Sequence, residues 1–349
     1  MDHYDFDERP FLVFWEITRS CALACWHCRA EAQPQRHPDE LDREQASRLI
    51  DQLAELKPPM LILTGGDPLM RRDALDLVRE ASDKGLHVGL SPAATERLLK
   101  TDFSELKAAG VQRMSLSLDG ATRETHDNFR RVNGTFDRTI EAVHRAHEAG
   151  LSLQINTTLA RSNMAEYEDF KRLMFELKPA MWSVFLLVPT GRAGLKDLPD
   201  AEDLERVFED MAGLVGKAPF AVKTTEGHHF RRVIMQKNGG GLKAPRPGMR
   251  SPLGIRDGRG VMFISHTGEV SPSGFLPIVC GNVKDRDPAD IYRNDPLFVS
   301  LRDNDALGGK CGLCEFRNVC GGSRSRAYGI YGDAFAADPA CVYVPKRAR

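Results

Sequence analysis

Residues 11–28 read FLVFWEITRSCALACWHC. The apolar run Phe11–Ile17 is short and ends in polar residues, as a buried parallel strand does. Four residues after Ile17 the chain reaches Cys21, then Cys25 and Cys28, a C-x3-C-x2-C spacing. Three thiolates on one short loop can hold three irons of a cubic iron–sulfur cluster and leave the fourth iron open for chemistry. A zinc ion is the alternative, but structural zinc needs a fourth ligand. His27 is available, though it sits between Cys25 and Cys28 where geometry with all three thiols is poor.

Five more apolar runs follow at Met60–Thr64, Leu86–Ser91, Arg113–Leu118, Leu151–Thr157 and Trp182–Val188. Helical patterns lie between them. Arg43–Lys57 places Leu49, Ile50, Leu53 and Leu56 on one face, and Phe136–Ala149 does the same with Ile140, Val143 and Ala146. Gly85, Gly110 and Gly150 stand at C-cap positions. Six β/α units with parallel strands predict an α/β fold, either a curved barrel-like sheet or an open doubly wound one. Cys21 falls at the C-terminal end of the first strand, where barrels carry their active groups.

The chain has 349 residues, 42% hydrophobic and 28% charged, with a formal net charge of −1. That near-neutral balance argues against nucleic acid as a partner. No apolar run approaches the roughly 20 residues of a membrane span, and the acidic start MDHYDFDERP lacks a signal-peptide core. A cytoplasmic protein is the expectation. Most of the eight cysteines are clustered, which favours metal binding over a disulfide scaffold.

Three strand ends carry further chemistry. Leu61–Thr64 runs into Gly65-Gly66-Asp67-Pro68, and paired glycines expose backbone to a ligand. In Ser115-Leu116-Ser117-Leu118-Asp119, alternation puts Ser115, Ser117 and Asp119 on one face. Asn156 in Ile155-Asn156-Thr157-Thr158 is polar within an apolar run and needs a partner.

Together these segments resemble the radical S-adenosylmethionine (SAM) enzymes. The resemblance covers about residues 11 to 345 and implies a (β/α)6 partial TIM barrel with the cluster loop after its first strand. It implies a 4Fe–4S cluster on Cys21, Cys25 and Cys28, with SAM on the open iron. Reductive cleavage of SAM to a 5′-deoxyadenosyl radical and hydrogen abstraction from a substrate C–H bond follow from it. A one-electron donor such as flavodoxin or ferredoxin is the implied partner. By the same resemblance Gly65, Gly66 and Asp67 meet the SAM amino group, Asp67 replacing the usual Glu. Ser117, Asp119 and Asn156 contact SAM, and Arg130 pairs with its carboxylate; a surface salt bridge for Arg130 and a core amide for Asn156 are the plain alternatives. Val188 and Trp26 pack the adenine.

The C-terminal part carries Cys311-x2-Cys314-x5-Cys320 and then Cys341. This resembles the SPASM or twitch region of the family, whose cysteines hold auxiliary iron–sulfur clusters; zinc is the alternative. Ser323 and Ser273 stand where further ligands would be expected, so the resemblance implies one auxiliary 4Fe–4S cluster. Cys280 is left over, as an apolar cysteine, a substrate-linked thiol or a stand-in ligand. The expected division is a 1–190 core, a 191–260 bridging region and a 261–349 auxiliary-cluster domain. The bridging region has a helix at Asp200–Val215 and then a basic stretch. From Ala221 to Gly260 nine Lys or Arg face only Glu226 and Asp257. Rich in Gly and Pro, the stretch reads as loop, either a solvated linker or a lid for an anionic substrate.

Segments such as CRAEA, LTGGDPL, VPTGR and CGGSRSRAYG look most like the NirJ-type and alternative-haem-pathway decarboxylase group, which acts on tetrapyrrole propionates. The basic stretch, with His228 and His229, offers partners for such carboxylates. Maturation of a ribosomal peptide and a non-catalytic iron–sulfur or SAM-binding role are the competing readings.

Overall fold

The computed structural model describes residues 4–239 and 253–348. All six expected strands are present, as β1 (Leu12–Glu16), β2 (Met60–Thr64), β3 (Val88–Leu90), β4 (Val111–Ser117), β5 (Ser152–Leu159) and β6 (Met181–Leu186). They pair in chain order and in parallel. Each crossover contains helix, as parallel pairing demands. Helix Arg43–Leu56 starts on a capping box between Asp42 and Gln45 and buries Ala46, Leu49, Ile50, Leu53 and Leu56. Gly85, Gly110 and Gly150 all take positive φ after helices.

The sheet continues at both ends. β7 (Ala221–Thr225) adds in parallel to β6, within the stretch expected to be loop. At the other end β8 (Arg256–Asp257) pairs with β9 (Gly260–Ile264), and β9 lies parallel to β1 with Phe263 opposite Phe14. β10 (Glu269–Ser271) forms a hairpin with β9 around Thr267-Gly268, and β11 (Gly281–Asn282) completes the edge. The hairpin proposed for a separate C-terminal unit therefore extends the core sheet.

The two faces of this sheet differ. Val13, Trp15, Leu61, Leu63, Met114, Leu116, Ile155, Trp182, Val184, Met262 and Ile264 are fully buried under the helices. Each large apolar side chain so buried contributes about 1.5–3 kcal/mol. Alternate positions, among them Phe14, Ile62, Ser115, Ser117, Asn156, Phe185 and Lys223, face inward and stay half-buried. The sheet curls so that distant strands meet. The ring of Phe185 on β6 lies 6.5 Å from that of Phe275 beyond β10. The inward face thus lines a lumen.

The seam between the sheet's ends is polar. The Ser323 hydroxyl donates to Glu226, just after β7, and Ser325 N–H donates to Asp257 on β8 at 2.9 Å. Arg326 pairs with Asp338 at 3.0 Å and donates to the Glu226 carbonyl at 2.7 Å. Burial and the neighbouring Asp257 push the Glu226 carboxyl well above the usual range.

Candidate active site

The cysteine loop lies at the C-terminal end of β1. Ser20 bridges to Gln33, and the Cys21 N–H donates to the Gln33 carbonyl at 2.8 Å, closing the loop on itself. Cys21 and Cys25 are buried and Cys28 is half-buried. Every sulfur of the triad receives an N–H: Leu23 N–H to Cys21 at 3.3 Å, Ala32 N–H to Cys28 at 3.4 Å, and Arg130 Nη1 to Cys25 at 3.6 Å. Burial pushes the Cys21 thiol up to about 12 and raises Cys25 as well. A bound iron–sulfur cluster, being cationic at its irons, would oppose that effect and hold the sulfurs as thiolates. The N–H donors, the Arg130 charge and the three sulfurs fit an iron–sulfur group.

Gly65 and Gly66 press against this loop. A Cβ on Gly65 would lie 2.5 Å from the Thr18 carbonyl oxygen, and one on Gly66 2.5 Å from that of Ser20. Gly66 N–H donates to Thr18 O at 2.9 Å and Asp67 N–H to Ser20 O at 2.7 Å. The glycines thus let two chain segments dock backbone to backbone. Asp67 is fully buried, and its carboxylate accepts from Leu69 N, Ala93 N and Thr95 Oγ1 at 3.2, 3.3 and 3.2 Å. It braces the turn after β2.

Ser117 and Asn156 sit side by side in register on β4 and β5, both facing the lumen. Asn156 Oδ1 accepts from Gln154 at 2.7 Å. Asp119 is fully buried. It accepts from Thr158 N–H at 2.7 Å and pairs with Arg130. Arg130 is therefore neither a surface salt bridge nor a free guanidinium. Burial works against its charge, but Asp119 and Cys25 outweigh burial and raise its pKa. Trp26 packs its ring 4.7 Å from Phe129, in a cluster with Leu187, and Val188 is buried next along the chain.

Arg192 was not singled out in the sequence. Its N–H donates to Cys28 O at 3.1 Å, and its guanidinium donates to Cys25 O at 3.2 Å and Ala32 O at 2.5 Å. Gly191 lets this approach happen, since a Cβ there would lie 2.4 Å from Cys28 O. Arg29 was missed too. It reaches from the loop to Glu16 at 2.8 Å, and Glu16 meets His266 of the C-terminal hairpin at 2.7 Å. The only signal for either arginine was its place beside a motif.

Cys311, Cys314, Cys320 and Cys341 line one cavity with His229, Arg232 and Asp338. Arg324 points at Cys311 Sγ from 3.7 Å and Arg232 at Cys341 Sγ from 4.0 Å. Ser323 and Ser273 hold structural bonds: Ser323 caps helix Arg324–Tyr331 and binds Glu226, while Ser273 Oγ accepts from Phe275 N–H at 3.2 Å. Cys280 packs against the main core.

The basic stretch differs from expectation. His228 and His229 are buried, and His229 faces the cysteine cavity. Helix Phe230–Lys237 carries Arg231, bonded to Val319 O at 3.1 Å, and Arg232, paired with Glu205. These cations are internal because burial requires partners for them. Lys243, Arg246 and Arg250 lie outside the described residues.

Comparison with known proteins agrees with this geometry. The family model of the radical SAM superfamily matches residues 15–174. The chain is 40% identical over 343 residues to an AdoMet-dependent heme synthase of Nitratidesulfovibrio vulgaris, covering 96% of this chain and 93% of that one. It is 30% identical over 357 residues to an Fe-coproporphyrin III synthase of Methanosarcina barkeri, covering 96% and 88%. A PqqA peptide cyclase of Rhizobium meliloti is 26% identical over 350 residues, covering 97% and 89%. Among solved structures, Streptococcus suis SuiB bound to S-adenosylmethionine superposes with a TM-score of 0.72 at 18% identity, covering 96% of this chain and 78% of that one. With its parallel sheet, its cysteine loop after β1 and relatives that match end to end, the chain belongs to the radical SAM superfamily, enzymes that work with a 4Fe–4S cluster and SAM.

Proposed function

We propose that the protein removes hydrogen from the propionate side chains of a tetrapyrrole, as a step of haem synthesis. The observation that carries this reading is the lumen, whose inward face combines the rings of Phe14, Phe185, Phe263 and Phe275 with cationic side chains of β4 and β7. Aromatic rings suit a flat macrocycle, and cations suit its carboxylates. The end-to-end similarity to heme synthases supports it further.

Cys21, Cys25 and Cys28 would hold the SAM-binding 4Fe–4S cluster, which supplies one-electron cleavage of SAM to a carbon radical. The chain's own residues set the conditions. Leu23, Ala32 and Arg130 lower the cost of charge on the three sulfurs by donating N–H groups. Gly65, Gly66, Asp67, Ser117, Asp119, Asn156 and Val188 form or brace the rim where SAM would lie, and Trp26 with Phe129 walls it from water. Arg130 and Asp119 neutralise each other, so Arg130 is not free for a SAM carboxylate unless the pair opens.

One auxiliary 4Fe–4S cluster on Cys311, Cys314, Cys320 and Cys341 would take the electron that substrate oxidation leaves behind. Arg232 and Arg324 beside the sulfurs favour the reduced state electrostatically. Zinc at about 2.3 Å from each sulfur would need the thiols to converge on one point. Cysteines clustered as metal ligands suit a reducing cytoplasm and delivery of electrons by flavodoxin or ferredoxin.

The test is anaerobic reconstitution followed by SAM, dithionite and iron–coproporphyrin. About eight irons per chain are expected for two cubanes. 5′-Deoxyadenosine should form together with loss of carbon dioxide from the porphyrin. Deoxyadenosine without any porphyrin product would move the substrate to a peptide. Full clusters with no deoxyadenosine would remove the enzymatic reading altogether.

A further inference from the structure

Two cations inside the lumen have no counter-charge among the described residues. Lys223 on β7 stands in one register line with Ser183, Asn156 and Ser117, and that line ends at the rim where the cysteine loop lies. The side chains of this line share the inward face: Ser183 Oγ meets Thr225 Oγ1 at 3.3 Å, two residues beyond Lys223. Arg113 lies two turns of the pleat before Ser117 on β4, opposite Gly89, where the missing side chain leaves room.

Among the described residues neither cation makes an ion pair or a hydrogen bond to a carboxylate. The Nε of Arg113 is buried and without a hydrogen-bond partner. Loss of solvation, and secondarily the Arg113 charge, bring Lys223 down to about 8, and no acid offsets either effect. The nearest acid on the inward face of β1, Glu16, is already taken by Arg29 and His266. Two like charges held together in a half-buried chamber cost stability, and an anion would relieve that cost. Most other buried or half-buried arginines here have partners: Arg29, Arg71, Arg130, Arg192, Arg232 and Arg326 each bond an acid or carbonyls.

We propose that Arg113 and Lys223 form an anion subsite that anchors one carboxylate of the substrate in the lumen, with the reacting carbon directed toward the cysteine-loop rim. This rests on the reading of the lumen as the substrate chamber, and it specifies which residues choose an anionic substrate. Gly89 makes the space, Lys223 and Arg113 supply the charge, and Ser117 and Asn156 lie between the anchor and the rim.

Competitive acetylation of the reconstituted holoenzyme, read by mass spectrometry, tests it. Lys223 should be protected at least fivefold by iron–coproporphyrin and separately by sodium propionate, while exposed Lys100 is unaffected. Protection by propionate alone would keep the anion subsite and remove the tetrapyrrole reading. Protection by neither would overturn the proposal. If only iron–coproporphyrin protects, binding to Lys223→Met and Lys223→Arg variants decides between anchoring and simple shielding. Anchoring requires at least tenfold weaker binding for Lys223→Met, with Lys223→Arg within about threefold of the parent protein. A Lys223→Met protein that binds iron–coproporphyrin as the parent does would also overturn it, provided its iron content shows that it folds.

Discussion

Arg130 ties Asp119 to Cys25: one guanidinium nitrogen pairs with the buried carboxylate and another donates to the sulfur at 3.6 Å. The fourth strand's end and the cysteine loop are thereby joined through a single side chain. Substituting Arg130→Met leaves the buried Asp119 without its counter-charge, with only Thr158 still donating to it. The expected loss is about 3–5 kcal/mol in denaturant unfolding of the apo protein. The double variant Asp119→Asn/Arg130→Met should recover most of it. If the single and double variants unfold alike, the pair is not what holds this corner.

Gly66 is set by space, not by backbone angle. Gly66→Ala must push Ser20 aside, and a loss of about 1–3 kcal/mol with poor iron loading is expected. Gly213, in helix Ala201–Leu214 with nothing near its would-be Cβ, is the contrast. Gly213→Ala should be neutral or stabilise by up to about 1 kcal/mol. Thermal unfolding of the two variants side by side checks both signs.

Arg192 holds the loop by its carbonyls. In Arg192→Met the Ala32 carbonyl loses its donor and the Cys25 carbonyl keeps only the Cys28 N–H, at about 1–3 kcal/mol. Iron at the first site should fall, while the Cys311–Cys341 site, which Arg192 does not touch, keeps its own. Iron per chain and the spectrum of the reduced protein separate the two; equal loss from both sites would mean a general folding defect.

His126 is fully buried and its Nδ1 accepts the Asp119 N–H at 3.1 Å. Burial, aided by the Arg130 charge, takes its pKa down to about 2. The unfolded chain therefore takes up this proton first. The contribution is whole above about pH 6.5 and is lost as pH falls toward 2, with a slope of up to about 1.4 kcal/mol per unit. His126→Asn keeps an acceptor for Asp119 and removes the titration. Unfolding free energies between pH 7 and 5 should fall less steeply for the variant than for the parent.

What the sequence made legible was local. Each of the six apolar runs became a strand because one face packs under helices, which leaves a mark in composition. β7 (AVKTT) left no such mark, since its inward face carries Lys223 and Thr225. The hairpin at Thr267-Gly268 was readable from its turn, but its parallel pairing with β1, some 250 residues away, was not. The cysteines could be read, and their clasps could not: Arg192 and Arg29 act on partners that only the fold brings near. The basic stretch misled for a related reason. A count of charges cannot tell a solvated surface from arginines drawn inward by Glu205, Val319 O and thiols.

The pairing of β1 with β9 has a temporal meaning. The first strand made by the ribosome has one neighbour at Met60 and must wait for the other until Val261–Ile264 has been synthesised. His266 reaches Glu16, and through it Arg29, later still. Throughout most of translation the cysteine loop is an unfinished cup with an open side. A cluster held by this loop would therefore find its surroundings complete only once Val261–His266 has been made.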